Sequence, residues 1–577
     1  MRERRRLTGD NSAPTINVLE SFVGGGAGLG LSFNQRDLFE LHNFTSRSAG
    51  NHTFKAGGQA RAVRVADSST ENFGGTFVFA GGLAPQLDAD DRLLLGSDGQ
   101  PTWAAINSLE RYRRTLVFGR RGLTPSEVRA LGGGASQFRI MGGDPSARAG
   151  QFNLGAFAQD DWRLQPNFML SLGLRYEMQP GAGGKLNFAP RVAFAWSPER
   201  GSKQPQTVLR GGMGIFYERF DEQLSLLSRR FDGQHRRQFY VTDPTFLDLF
   251  PQAPSIEQLS ASAVPQAVRR VADNLRSPLS FQSSFSVERE LPHGFTLAAT
   301  YIHNWTLRAL LTRNTNAPRY GNAESGARPF PALGEVFEYE SSGLFKQHQL
   351  SVNVVNRFGK RMAFYATYVL NKAESDTDGA DSSPLDSSEA ASDFGRSALD
   401  VRHSFYLGGW LSAPLGLDFH TLLFVRSGLP FNITTGRDTN GDALFNERPA
   451  FAADLGRASV VRTRFGAFDL EPLPGQRLIP RNFGVGDDFF SVNLGVSRTF
   501  RFGHEVSDKG KGRSGRLYSM TFSAQVENLF NRANQGAFNG NLGSPLFGQP
   551  YASAGSFGFG SNAAGNRRLS LQVSFGF

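Results

Sequence analysis

Apolar and polar residues alternate with a period of two in repeated segments of about ten residues along this chain. Successive side chains of a β-strand point to opposite faces, so each segment makes a strand with one apolar and one polar side. The last ten residues show this most plainly. Leu569, Leu571, Val573, Phe575 and Phe577 share one face, while Arg568, Ser570, Gln572, Ser574 and Gly576 share the other. In NFMLSLGLRYEM, Phe168, Leu170, Leu172, Leu174, Tyr176 and Met178 oppose Asn167, Ser171, Gly173, Arg175 and Glu177. FQSSFSVERE, FSVNLGVSRTF and YSMTFSAQVEN repeat the pattern. Soluble strands run roughly five or six residues, whereas about ten is what a tilted strand needs to cross a bilayer.

The connections carry a second regularity. Tight turns at Arg163-Leu164-Gln165-Pro166, Leu291-Pro292-His293-Gly294, Gly359-Lys360 and Ala413-Pro414-Leu415-Gly416 alternate with long stretches at 242–278, 304–344, 372–401, 428–487 and 531–565. A transmembrane barrel has short turns at one end and long loops at the other; a soluble sandwich has no reason to keep that rhythm. The reading is an all-β chain forming a large antiparallel β-barrel of the outer-membrane type. About 18–20 strands are visible, centred near residues 40, 58, 77, 139, 157, 172, 193, 212, 238, 285, 299, 352, 366, 406, 421, 495, 523 and 572, with one or two before residue 34. No run of 18 apolar residues exists, which excludes helical membrane spans. Cysteine is absent, excluding disulfides and thiolate metal sites.

Two segments break the pattern. Residues 83–135 read as an insertion between strands, helical near 104–130, with Thr124-Pro125-Ser126-Glu127 as a helix start. Residues 1–13 form a basic start, expected to stay outside a barrel at 14–577. They have no apolar stretch behind their arginines, so no complete signal peptide is present. The net charge of +10 is spread along the chain and not gathered on one element, which argues against nucleic acid as a partner.

Several stretches resemble TonB-dependent outer-membrane receptors of the Oar-like, long-barrel branch: QFNLGAFAQDDWRLQPNFMLSLGLRYE (151–177), NLRSPLSFQSSFSVEREL (274–291), GRDTNGDALFNERPA (436–450) and FSAQVENLFNRAN (522–534). The resemblance runs from about residue 14 to the end. It implies a 22-stranded barrel with a plugged lumen, a Gram-negative outer-membrane location, and uptake or export of a large solute. It also implies that the terminal Phe577 is read by the outer-membrane insertion machinery. A TonB-type energy-coupling partner is expected only if a plug is supplied upstream, because no plug domain is visible here and the chain reads as the C-terminal barrel portion. The rival readings are a structural or adhesive surface barrel without transport, and a soluble secreted β-protein.

His504-Glu505 lacks the second histidine of a zinc helix. Gly510, Gly512 and Gly515 match a dinucleotide fingerprint, but they lie in a charged turn before a strand, so the match reads as chance. His403 and Ser404 are adjacent on a strand and point to opposite faces, unable to serve one another. Asp438, Asn440 and Asp442 have the spacing of a calcium loop, yet Ala443 stands where the EF-hand has glycine and Pro449 where it has glutamate. The preferred reading is a solvated, Asx-rich loop tip, with calcium binding left open. The acidic run Glu374, Asp376, Asp378, Asp381, Asp386, Glu389 and Asp393 reads as a solvated face. The sequence therefore assigns no catalytic, cofactor-binding or metal-ligating residue, no cofactor and no enzymatic activity. Its expected partner is outer-membrane lipid.

Overall fold

The computed structural model describes residues 2–7, 13–181, 187–199, 206–318, 327–358, 361–503, 518–551 and 565–577. The Gly359-Lys360 turn, His504-Glu505 and the Gly510–Gly515 motif lie outside these. One antiparallel sheet of 18 strands dominates. Sixteen of them form a meander in which each strand pairs with the next. The first half is β1 (Arg2–Leu7), β2 (Ser32–Ala49), β3 (His52–Ser69), β4 (Ser146–Gln165), β5 (Phe168–Met178), β6 (Asn187–Trp196), β7 (Thr207–Tyr217) and β8 (Leu279–Leu291). The second half is β9 (Phe295–Asn314), β10 (Val336–Phe358), β11 (Met362–Ser375), β12 (His403–Ala413), β13 (Leu417–Arg426), β14 (Phe489–Phe502), β15 (Tyr518–Glu527) and β16 (Arg568–Gly576). The other two are short additions: Val268–Val271 runs parallel to the start of β10, and Gly395–Arg396 pairs with the end of β11.

The basic start is therefore a strand and not a non-barrel leader: Arg2–Leu7 pairs with Ser32–Asp37 of β2. A run of six residues without proline or glycine has nothing to stop it extending an edge already offered by β2.

Tight turns sit at one end of the meander. Leu-Pro-His-Gly and Ala-Pro-Leu-Gly turn alike, with His293, Gly294, Leu415 and Gly416 all at positive φ. The connections after β3, β7, β9, β11 and β13 are long and lie at the opposite end. The apolar faces of the strands are exposed as a band: Leu172 is 48% exposed, and Leu174, Phe281, Phe285, Tyr301, Phe522 and Val573 are exposed as well. So large an apolar surface is the signature of a wall in contact with lipid. Near the short turns the band gains rings. Phe502, Tyr518, Phe575 and Phe577 form a chain of stacked aromatics with centroids 5.9–6.1 Å apart, matching the interfacial girdle of membrane barrels.

At the other end the long connections build a cap. Its core is a separate five-stranded sheet made from Arg236–Val241, Gln137–Gly143, Thr76–Phe79, Thr15–Val18 and Phe22–Gly25, paired in that order. The strands expected near 77, 139 and 238 are thus cap strands and not barrel staves. The physical difference is burial: Phe77, Phe79, Phe138 and Phe239 are fully enclosed, with Val18, Ile140, Leu247 and Leu259 around them. The helical insertion is present as Ser108–Arg120 and Pro125–Ala130. The first is capped by Asn107, whose side chain accepts the Glu110 N–H. The second has the reciprocal Thr124/Glu127 capping box that the sequence announces.

Candidate functional site

The polar faces of the meander look inward, where they form hydrogen-bonded ladders. On β3, β4 and β5 the Asp161 carboxylate accepts from Lys55 at 2.6 Å, from Ser171 at 2.6 Å and from Gln159 at 2.8 Å. Across the register, Gly173 stands opposite Gln159 and Arg191, so this stretch of wall has open space above it. On β11 to β13 the inner face carries an aromatic strip that the sequence reading did not single out. Tyr365 and Tyr406 touch through their hydroxyls at 2.5 Å with rings 5.2 Å apart. Trp410, His420 and Phe424 continue the face by register. Gly408 makes the close packing possible, since a Cβ there would come within 2.5 Å of the Tyr365 ring. Tyr365, Tyr406, Trp410 and His420 line a cavity of about 890 Å³ that continues along Ser497, Ser523, Gln525, Ser570 and Gln572 on the neighbouring strands.

The mouth of the lumen is crossed by a helix from the β7–β8 connection. Glu222–Arg230 is capped by Asp221. Leu226 buries itself against Val63, Val65 and Ala149 on β3 and β4. Leu224, on the same helix, packs with Phe220, Leu275 and the β10 residue Tyr339. Ion pairs fix it: Glu222 to Arg36 at 2.5 Å, and Arg230 to Asp67.

The third element is the loop holding Asp438, Asn440 and Asp442. It is not a solvated tip. Asp442 is fully buried, and Asn440, Ala443 and Glu447 are buried with it. The reason is that three other long connections converge on it. Ala443 O lies 3.4 Å from both Gln137 and Arg139 of the cap sheet. Asp442 O accepts from Asn314 at 3.1 Å, Gly441 O from Arg328 at 2.9 Å, and Leu385 O from Asn440 at 3.2 Å. Ala443 sits at φ +66, the left-handed conformation that the EF-hand glycine supplies at the same position. Carboxylate oxygens of Asp438, Asp442 and Glu447 lie within 4.8 Å of one another. Burial pushes Asp438 up to about 7 and Asp442 up to about 6, and each is raised further by a neighbouring carboxylate. Burial also holds Glu447 well above its ordinary value, reinforced by both aspartates. Glu447 was not among the sequence candidates, because the acid falls at the tenth position of the loop and not the twelfth.

The acidic run is likewise not simply solvated. Asp376 and Asp393 are buried. Arg481 reaches Asp393 at 3.0 Å and Asp378 at 2.5 Å, and Arg448 also pairs with Asp393. His403 donates to or accepts from the Tyr368 hydroxyl at 2.8 Å on the outer face, away from Ser404.

The outer membrane beta barrel domain model matches residues 4–185 and 181–568. The chain belongs to that family. Its place is the Gram-negative outer membrane. Over 93 residues it is 31% identical to the TonB-dependent transporter Oar of Myxococcus xanthus, a match spanning 16% of this chain and 9% of Oar. Among solved structures, the outer membrane transporter YddB from Escherichia coli aligns with a TM-score of 0.53 at 11% identity, covering 98% of this chain and 58% of YddB. The ferric enterobactin receptor PfeA from Pseudomonas aeruginosa aligns at 10% identity with a TM-score of 0.47, over 100% of this chain and 59% of the receptor. The chain thus spans less than two thirds of the length of each of these relatives.

Proposed function

We propose that this chain is the barrel of a TonB-dependent outer-membrane transporter that moves a large solute. The observation that carries the reading is the two-faced meander: an apolar outer band, a polar inner face, and the longest connections gathered over one end. Substrate contact falls to the lumen strip around Tyr365, Tyr406 and Trp410, and the Glu222–Arg230 helix obstructs the mouth above it. Energy coupling through a TonB-type partner belongs to a plug, which the barrel alone does not supply. Phe577 at the girdle serves the insertion machinery.

The test exports the chain behind a cleavable leader in a Gram-negative host, with residues 222–230 replaced by a Gly-Ser linker in a second strain. The linker strain should become sensitive to a large glycopeptide antibiotic, independently of the proton-motive force. Unchanged sensitivity with a folded, heat-modifiable barrel in the outer membrane would favour a structural or adhesive barrel. Force-dependent uptake by the barrel alone would contradict the assignment of energy coupling to a plug.

A further inference from the structure

The loop from Asp438 to Glu447 gathers three carboxylates within 4.8 Å. Among the described residues none of the three forms an ion pair. Of the arginines around them, Arg437 pairs with Glu471, Arg328 with Glu335 and Arg448 with Asp393, while Arg139 faces the Ala443 carbonyl and acts on Asp438 only at longer range. Glu447 is 3% exposed. Its Oε1 accepts the N–H groups of Thr439 at 2.7 Å and Asn440 at 3.3 Å. Its other oxygen, Oε2, is buried without a hydrogen-bond partner. A buried carboxylate either keeps its proton or is paired or bound to metal, and a bare oxygen beside two further carboxylates is placed where a cation would satisfy it.

We propose that Asp438, Asp442 and Glu447 bind one calcium ion that pins the long connections into a closed cap. The donors are all hard oxygens, which suits calcium or magnesium and disfavours softer metals. Magnesium keeps several waters and demands a tight octahedron, whereas calcium accepts carboxylates in irregular number. Asp438, Asn440 and Asp442 keep the one-three-five spacing of a calcium loop, and Ala443 takes the left-handed conformation at its sixth position, which favours calcium. The consequence reaches beyond the loop. Asp442, Gly441 and Ala443 already hold Asn314, Arg328 and Gln137 through their carbonyls, so an ion that fixes this loop fixes the β3–β4, β9–β10 and β13–β14 connections together. This inference stands apart from the transport reading, since it concerns the cap and not passage through the lumen.

The experiment is equilibrium dialysis of radioactive calcium against the full chain, refolded in detergent and stripped with EDTA. One saturable site is expected, with a dissociation constant between about 10⁻⁵ and 10⁻³ M, from the weak end of sensor sites to that of extracellular modules. Glu447→Gln and Asp442→Asn should each weaken binding at least about tenfold, whereas Asp454→Asn, an exposed carboxylate in the same connection, should not. Calcium should also slow tryptic cleavage of the cap in the wild-type chain. Absence of saturable binding in folded, heat-modifiable wild-type protein overturns the proposal, whatever the variants do. So does wild-type affinity in both folded loop variants, or displacement of calcium by an equal concentration of magnesium.

Discussion

Replacing Leu172 by arginine, beside a matched replacement of Gly173, tests the assignment of faces on β5. Leu172 is five residues beyond the Asn167 turn position and 48% exposed on the outer face. At a rise of about 3.4 Å per residue and a tilt near 40°, it stands roughly 13 Å above that turn, the middle of an apolar band about 25 Å tall. An arginine at that depth costs about 2–4 kcal/mol, a factor of roughly 30 to 800 in the folding equilibrium. Gly173 points the other way. A Cβ there meets nothing closer than 3.7 Å, with Gln159 and the Ala158 carbonyl as its neighbours. An arginine at 173 enters the wet lumen facing Arg191 across the register. Its cost is then like-charge repulsion in high dielectric, about 1 kcal/mol or less. The measurement is reversible unfolding from phospholipid vesicles in urea, followed by tryptophan fluorescence. Equal losses for the two variants, or a larger loss for Gly173→Arg, would refute the assigned faces of β5 and, through the ladder, of β4 and β6.

Other outcomes follow from the same geometry. Deleting Phe577, which is 95% exposed and stacked on Phe575, should lower outer-membrane assembly of the exported chain severalfold, while Ser574→Ala on the lumen face leaves it unchanged; quantitative membrane blots compare them. Arg481→Ala removes the cation shared by Asp393 and Asp378; because Arg448 still pairs with Asp393, the loss should stay below the roughly 3 kcal/mol of a fully opened buried pair and be read as faster proteolysis within residues 376–402. Leu226→Ala removes the side chain that seats the mouth helix on Val63 and Val65. It should raise single-channel conductance in planar bilayers, with no change in the heat-modifiable gel shift.

The staves were legible because alternation over a long segment has one physical cause. A strand with lipid on one side and water on the other must place its apolar residues at every second position, and β5, β8, β14, β15 and β16 do so. The turns were legible because Pro-His-Gly and Pro-Leu-Gly fix backbone angles locally. The cap strands misled because periodicity alone does not report length or partners. Thr76–Phe79 is four residues with three fully buried side chains. A run apolar on both sides belongs inside a packed layer, and shortness was the clue that it could not cross a bilayer.

The loop at 438–447 failed for a different reason, and the failure is informative. A polar run between strands is solvated only if nothing folds over it, and that depends on residues from 137 to 385 that no local pattern connects to it. Once those segments arrive, the same aspartates that would sit comfortably in water become a buried carboxyl cluster whose ionisation burial opposes. A sequence template read the spacing at positions one, three and five, then looked for the acid at twelve. The chain places it at ten, as Glu447, where it also binds the backbone of Thr439 and Asn440. An acid that both caps its own loop and leaves one oxygen bare is buried either with its proton kept, as its raised pKa allows, or with a cation such as the proposed calcium completing it. The aromatic strip on β11 to β13 escaped notice by the opposite route: Tyr406, Gly408 and Trp410 alternate as well as any lipid-facing set, and only the register to Asn493, Ser497 and Ser523 shows that their face is the inner one. Alternation finds the two faces of a stave; which of them meets lipid is decided by the neighbours.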